Sequence, residues 1–212
     1  MNALLLAALL SAAPVPATSV YSLKAKAFSE QARKDLATLK MFTAGLDRIA
    51  SQVQGNYALF NKKEERTYTP EEKRTLLTTW GALFSYFTSV EQIRQRYWNF
   101  VLLAPTDDRH ALGFLVTHTA LTALLSHGLK FAEITQGNKQ IETLFDEANA
   151  EFGVPHGSYA AFKVTAIHVS TTTQLMSGDA WAKLVQTSLK KDKDPNVQWA
   201  WKELDTCGQK AR

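Results

Sequence analysis

HALGFLVTHTALTALLSHGL, running from His110 to Leu129, lies between Arg109 and Lys130 and holds no Asp, Glu, Lys or Arg. A helix that is apolar nearly all round is either buried in a core or spans a membrane. The length suffices for a span, which needs ~20 apolar residues. The content argues against one. His118, His127, Ser126, the threonines, Gly113 and Gly128 dilute the stretch, and imidazoles are expensive in lipid. The reading is a buried central helix over about 108–135, around which the rest of the chain packs. It starts after the turn Pro105 to Asp108, where Asp107 and Asp108 place negative charge at a helix start.

Working outward toward the N-terminus, Leu76, Leu77, Trp80, Leu83, Phe84, Phe87, Val90, Ile93, Tyr97 and Val101 recur at helical spacing. An aromatic stripe of this kind reads as core. Thr69 can cap the helix, Pro70 suits its first position, and Glu72 completes a capping box. Before it, Phe28, Ala32, Leu36, Leu39, Phe42, Leu46, Ile49, Val53 and Tyr57 form the narrow seam of a long amphipathic helix from about Ser22. Asp35 is expected among the charges off that seam, and Gly45 is its weak point. Spacing near 3.5 residues favours local coiled-coil-like packing.

On the C-terminal side, Gly137 and Asn138 read as caps, and Ile141, Leu144, Phe145, Ala148 and Phe152 as the stripe of a short helix ended by Gly153 and Pro155. Tyr159 to Met176 mixes β-branched residues with a helical face and is read as helix, because no second strand exists to pair with it. Ser177-Gly178-Asp179 starts a helix to Leu189, Lys190 to Pro195 is a charged linker, and Val197, Ala200, Trp201 and Leu204 face one side of a last helix. Trp199 should then point away from that side. The two tryptophans imply a cover: this domain, a partner, or further sequence. The whole reads as all-α, an irregular bundle of about six or seven helices in one domain, residues 18–212.

The 212 residues, 45% hydrophobic, are enough for a sizeable core. A net charge of +4, with Lys and Arg mixed among Asp and Glu, describes a solvated, slightly cationic surface. Its functional counterpart is a weak attraction to anionic envelope polymers or lipids. At the N-terminus, Leu4 to Leu10 is a short apolar run, and small residues at Val15 and Ala17 suit cleavage after Ala17. Residues 1–17 therefore read as a secretory signal, off pattern only in lacking Lys or Arg before the run. Export would place the protein in a periplasm or outside the cell, with no transmembrane span left. The competing reading is an apolar helix that packs into the fold.

The residues that carry chemistry form no recognised set. Metal helices place ligands at i and i+3 or i+4. His110, His118 and His127 are eight and nine apart, so the last two point to opposite sides of a helix. His156 and His168 lie elsewhere, and no Glu-x-x-His pair is present. Imidazoles in an apolar helix more often hydrogen-bond a neighbouring helix, or give a proton-sensitive core. Cys207 is the only cysteine and sits near the C-terminus, in a stretch expected to fray, with no base placed by the sequence beside it. His156-Gly157-Ser158 reads as a turn and cap, and Glu71, Glu72, Asp107 and Asp108 as helix starts. No catalytic residue, metal ligand or cofactor site is assigned. Nucleic-acid binding lacks a basic stripe and a motif.

Two segments together carry a resemblance: His110-Ala111-Leu112-Gly113-Phe114-Leu115-Val116, and Ile141-Glu142-Thr143-Leu144-Phe145-Asp146-Glu147 with Glu151-Phe152-Gly153-Val154-Pro155 and Gly157-Ser158-Tyr159. Over roughly Pro105 to Met176 the chain resembles the helical region that precedes the catalytic domain of bacterial envelope proteins with a circularly permuted, NlpC-like papain-fold cysteine hydrolase. The motifs are helix caps and core positions. The family's chemistry needs a Cys and a His in a downstream α/β domain, which this chain lacks. Cys207 has no matching surroundings, so the resemblance implies the helical half alone. The expectation is an exported, non-enzymatic helical interaction or regulatory domain, accessory to an envelope hydrolase or bound to another envelope protein. The alternatives are a small-molecule or lipid-binding bundle with a pocket beside His118 and His127, and an enzyme of unrecognised type.

Overall fold

The computed structural model describes residues 24–60, 67–102, 107–135, 139–151 and 187–210, and the side chains among them except those of 101–102, 125–135, 148–151 and 204–210. Seven helices account for nearly all of it: α1 (Ala25–Gly55), α2 (Tyr57–Phe60), α3 (Pro70–Tyr97), α4 (Asn99–Leu102), α5 (Asp108–Thr135), α6 (Lys139–Glu151) and α7 (Pro195–Lys210). No strand occurs among the described residues. The all-α reading holds. The signal segment, Gly137, Asn138, Tyr159 to Met176 and Ser177 to Asp179 lie outside the described residues.

α5 is the axis. Every residue from Ala111 to Leu121 is buried, as are Ala123 and Leu124. The helix packs against α1, α3, α4 and α7 and touches α2. Neighbours on several sides bury a helix around its whole circumference, which is why this stretch can lack charge. No described helix is long and apolar enough to cross a membrane.

α1 and α3 supply the two flanking walls. On α1, Phe28, Ala32, Leu36, Leu39, Leu46, Ile49 and Val53 are buried. Tyr57 departs from the seam and is 51% exposed. The cause is the break at Asn56, whose amide turns back onto the Gln52 and Val53 carbonyls. The helical phase restarts at Tyr57, and Phe60 takes the buried place. On α3, the capping box is formed: Thr69 Oγ1 accepts from the Glu72 amide at 3.2 Å, and the Thr69 amide donates to Glu72 Oε2 at 2.9 Å. The α3 ladder stops at Tyr97 rather than continuing through Val101, although Trp98 keeps helical dihedrals. Trp80 stacks on Phe145 of α6, with centroids 4.5 Å apart.

Two glycines are contact points. A Cβ at Gly45 would meet the end of the Tyr86 ring at 2.5 Å, and one at Gly113 would meet Cγ of Phe100 at 2.6 Å. Gly45, read from the sequence as a weak point, is where α1 and α3 approach closely.

α7 packs on both α5 and α1. Val197 and Ala200 are fully buried, while Trp199 is partly buried against the core instead of pointing away. A helix with two neighbours covers a wider arc than one stripe. The fold itself thus covers Trp199. The charged linker before α7 is an ordered turn. Arg33 of α1 binds Asp192 with both terminal nitrogens and reaches Asp194 Oδ2 at 3.4 Å. Asp194 Oδ1 accepts from the Asn196 amide at 2.8 Å at the start of α7, and Gln198 Nε2 donates to the Asp192 carbonyl at 2.7 Å. The Cys207 backbone is helical within α7, which corrects the expectation of a frayed tail.

Candidate functional site

The most unusual polar group among the described residues is Asp35. It lies seven residues after Phe28 and seven before Phe42, on the seam of α1 and not off it as the charge pattern suggested. Only 4% of its surface is exposed. A carboxylate taken out of water needs strong partners. The folded chain provides three donors from two helices. The Tyr97 hydroxyl donates to Asp35 Oδ2 at 2.7 Å. Arg96 Nη2 and Gln31 Nε2 each donate to Oδ1 at 3.1 Å. Burial pushes the Asp35 carboxyl above its ordinary value, while the Tyr97 hydrogen bond, the Arg96 charge and Gln31 pull it back. Burial, reinforced by the charge of Asp35, raises the Tyr97 phenol, so it stays protonated and donates.

An aromatic cluster closes one side of this group. Phe28 meets Tyr97 edge-on at 5.9 Å and Phe100 at 5.1 Å, and Phe100 meets His110 at 5.6 Å. The Arg109 guanidinium stands 5.9 Å from the centre of the Phe28 ring. Arg96 Nε and Arg109 Nε are buried atoms with no hydrogen-bond partner among the described residues. The site therefore joins α1, α3, α4 and the start of α5. Chemically it binds a proton or a charge in place. Its acceptor atoms already face three donors, which suits cohesion of helices more than attack on a substrate.

Of the histidines, His110 and His118 have described side chains, and each has its own partners. His110 Nδ1 lies 2.9 Å from Asp107 Oδ1, which also accepts from the His110 amide at 2.9 Å. Asp107 thus serves the helix start, and the amide bond holds its carboxyl below the usual range. His118 is 5% exposed beside Phe114, with Nδ1 3.3 Å from the Thr122 hydroxyl one turn on. That contact is within α5 and not with a neighbouring helix. Burial pushes His118 down to about 4, so it is neutral at physiological pH. The side chains of His127 and Cys207, and all of His156, His168 and Ser158, lie outside the described ones. Among the described residues no group of three or more His, Cys, Asp and Glu is placed to hold a metal.

Comparison with known proteins finds no matching family model, no matching curated protein and no matching solved structure. What the site does must be argued from its own residues. Sequence reasoning passed over Asp35, Arg96 and Gln31. A signal was present: an acid at the seven-residue step of an apolar seam, four residues after a Gln, demands a buried partner. The identity of that partner, 62 residues away in sequence, was not readable.

Proposed function

We propose that this chain is an exported, non-catalytic helical domain that binds and regulates a protein of the cell envelope, a cysteine hydrolase on the strength of the sequence resemblance. One observation carries the reading. The perturbed acid of the described core, Asp35, spends its hydrogen-bonding capacity on Gln31 of its own helix and on Tyr97 and Arg96 of α3, and the last two hold α1 to α3. Its chemistry is directed inward, which leaves the helix surfaces as the part that meets other molecules. The signal-like residues 1–17 support the location. Two experiments test this. Expressed in a bacterial host, the exported protein should begin at Thr18. A photo-crosslinking residue at Met41, which is 65% exposed on α1, should then capture one envelope protein reproducibly. Retention in the cytoplasm with Met1 intact would overturn export, and the absence of any specific adduct would overturn binding.

A further inference from the structure

In sequence, Leu189-Lys190-Lys191-Asp192-Lys193-Asp194-Pro195 looks nearly neutral, with its acids set among its bases. The fold sorts those charges by direction. Asp192 and Asp194 turn inward onto Arg33, with side chains only 14% and 21% exposed. Arg33 holds the Asp192 carboxyl well below its usual range, so that acid stays paired. Lys190, Lys191 and Lys193 are all exposed, and none has an ion pair among the described residues. Lys34, the residue after Arg33, is likewise exposed and unpaired among them. The nearby acid on that stretch of α1, Glu30, faces Lys26 at 3.9 Å.

The turn is also stiff. Leu189 is buried, the Asp192 amide bonds the Leu189 carbonyl at 2.9 Å, and the Asp194 amide bonds Asp192 Oδ1 at 3.0 Å. The lysines are thus presented on an anchored support, at little cost in ordering. Half-buried Trp201 follows on α7, the helix that this turn starts.

We propose that Lys190, Lys191 and Lys193 form a docking surface for an anionic lipid membrane. Separate, hydrated ammonium groups on an open turn suit a diffuse layer of headgroup charge. As ammonium groups they bring no planar fork to one bound anion, and among the described residues they carry no stacked aromatic platform for a nucleic acid. Each such lysine strengthens partition to an anionic surface by about fivefold, so the three on the turn supply roughly 100-fold. The inference is independent of the hydrolase-partner reading, since lipid vesicles contain no protein.

The test is sedimentation of the full chain with vesicles of phosphatidylcholine alone and of phosphatidylcholine with phosphatidylglycerol. Binding is expected to the anionic vesicles only and to weaken as salt is raised. The variant Lys190→Gln/Lys191→Gln/Lys193→Gln should lose roughly 100-fold, and each single change about fivefold. Lys73→Gln on α3, exposed elsewhere, should lose nothing. The single variants keep the test decisive should the triple variant fold poorly. Equal binding to neutral vesicles, no vesicle binding, undiminished binding by the lysine variants, or binding to a soluble duplex oligonucleotide in place of vesicles would each overturn the proposal.

Discussion

Asp35 shows how much one side chain can bind together. Replacing it with Ala would leave the Arg96 charge and the Tyr97 hydroxyl facing an empty site, and breaking a buried pair in this way costs about 3–5 kcal/mol. Tyr97→Phe removes a single hydrogen bond to a charged acceptor and should cost about 1.5–3 kcal/mol. Denaturant unfolding of both variants checks the order, with Asp35→Ala the less stable. Asp35→Leu/Arg96→Met should recover much of the loss, because removing both charges leaves none stranded. His118 gives a pH signature. Folding lowers this base from 6.5 to about 4, so as pH falls the unfolded chain takes up the proton first. Stability present at neutral pH is then lost between pH 6.5 and about 4, by about 3 kcal/mol in all. Asp35 acts with the opposite sign: its raised carboxyl lets the folded state bind the proton first as pH falls. Comparing wild type with His118→Leu across this window isolates the histidine, and the variant should show the shallower fall.

At the scale of elements, the glycines separate propensity from packing. Alanine favours a helix over glycine by about 1 kcal/mol. At Gly55, where a Cβ would meet nothing within 4 Å, Gly55→Ala should stabilise by about 0.4–1 kcal/mol. At Gly113 the new Cβ would strike Phe100 at its ring base, in a side chain that is 1% exposed. Gly113→Ala should therefore destabilise by about 1–3 kcal/mol through overpacking, despite the better propensity. Thermal melts of the pair should shift in opposite directions. This contrast was invisible in sequence, where a helical glycine gives no sign of what an added Cβ would meet. The capping box at Thr69, by contrast, was fully legible, because its partners lie within three residues and depend on local geometry alone.

For the whole molecule, α7 is fastened by a contact between parts 159 residues apart in sequence. Arg33→Ala should cost about 1 kcal/mol after solvent screening, since the guanidinium is 33% exposed. Hydrogen exchange of the amides in Pro195–Lys210 should quicken about fivefold, while α3 stays protected. Arg33→Lys should rescue only part, because an ammonium cannot bind a carboxylate with two parallel hydrogen bonds. By itself, the sequence determined the helical class, the charge-free stretch His110 to Leu129 that forms the axis, the buried stripes of α1, α3 and α6, and the α3 cap. Those features follow from periodicity and from interactions within a turn or two, which a linear chain displays directly. Only the tertiary structure decided that Asp35 is buried, that Trp199 turns to the core, that Phe100 rests on Gly113, and that Asp192 and Asp194 turn inward while their neighbouring lysines face water. Each of these depends on which distant helix arrives alongside, and a side chain's environment is set by that neighbour and not by its own spacing.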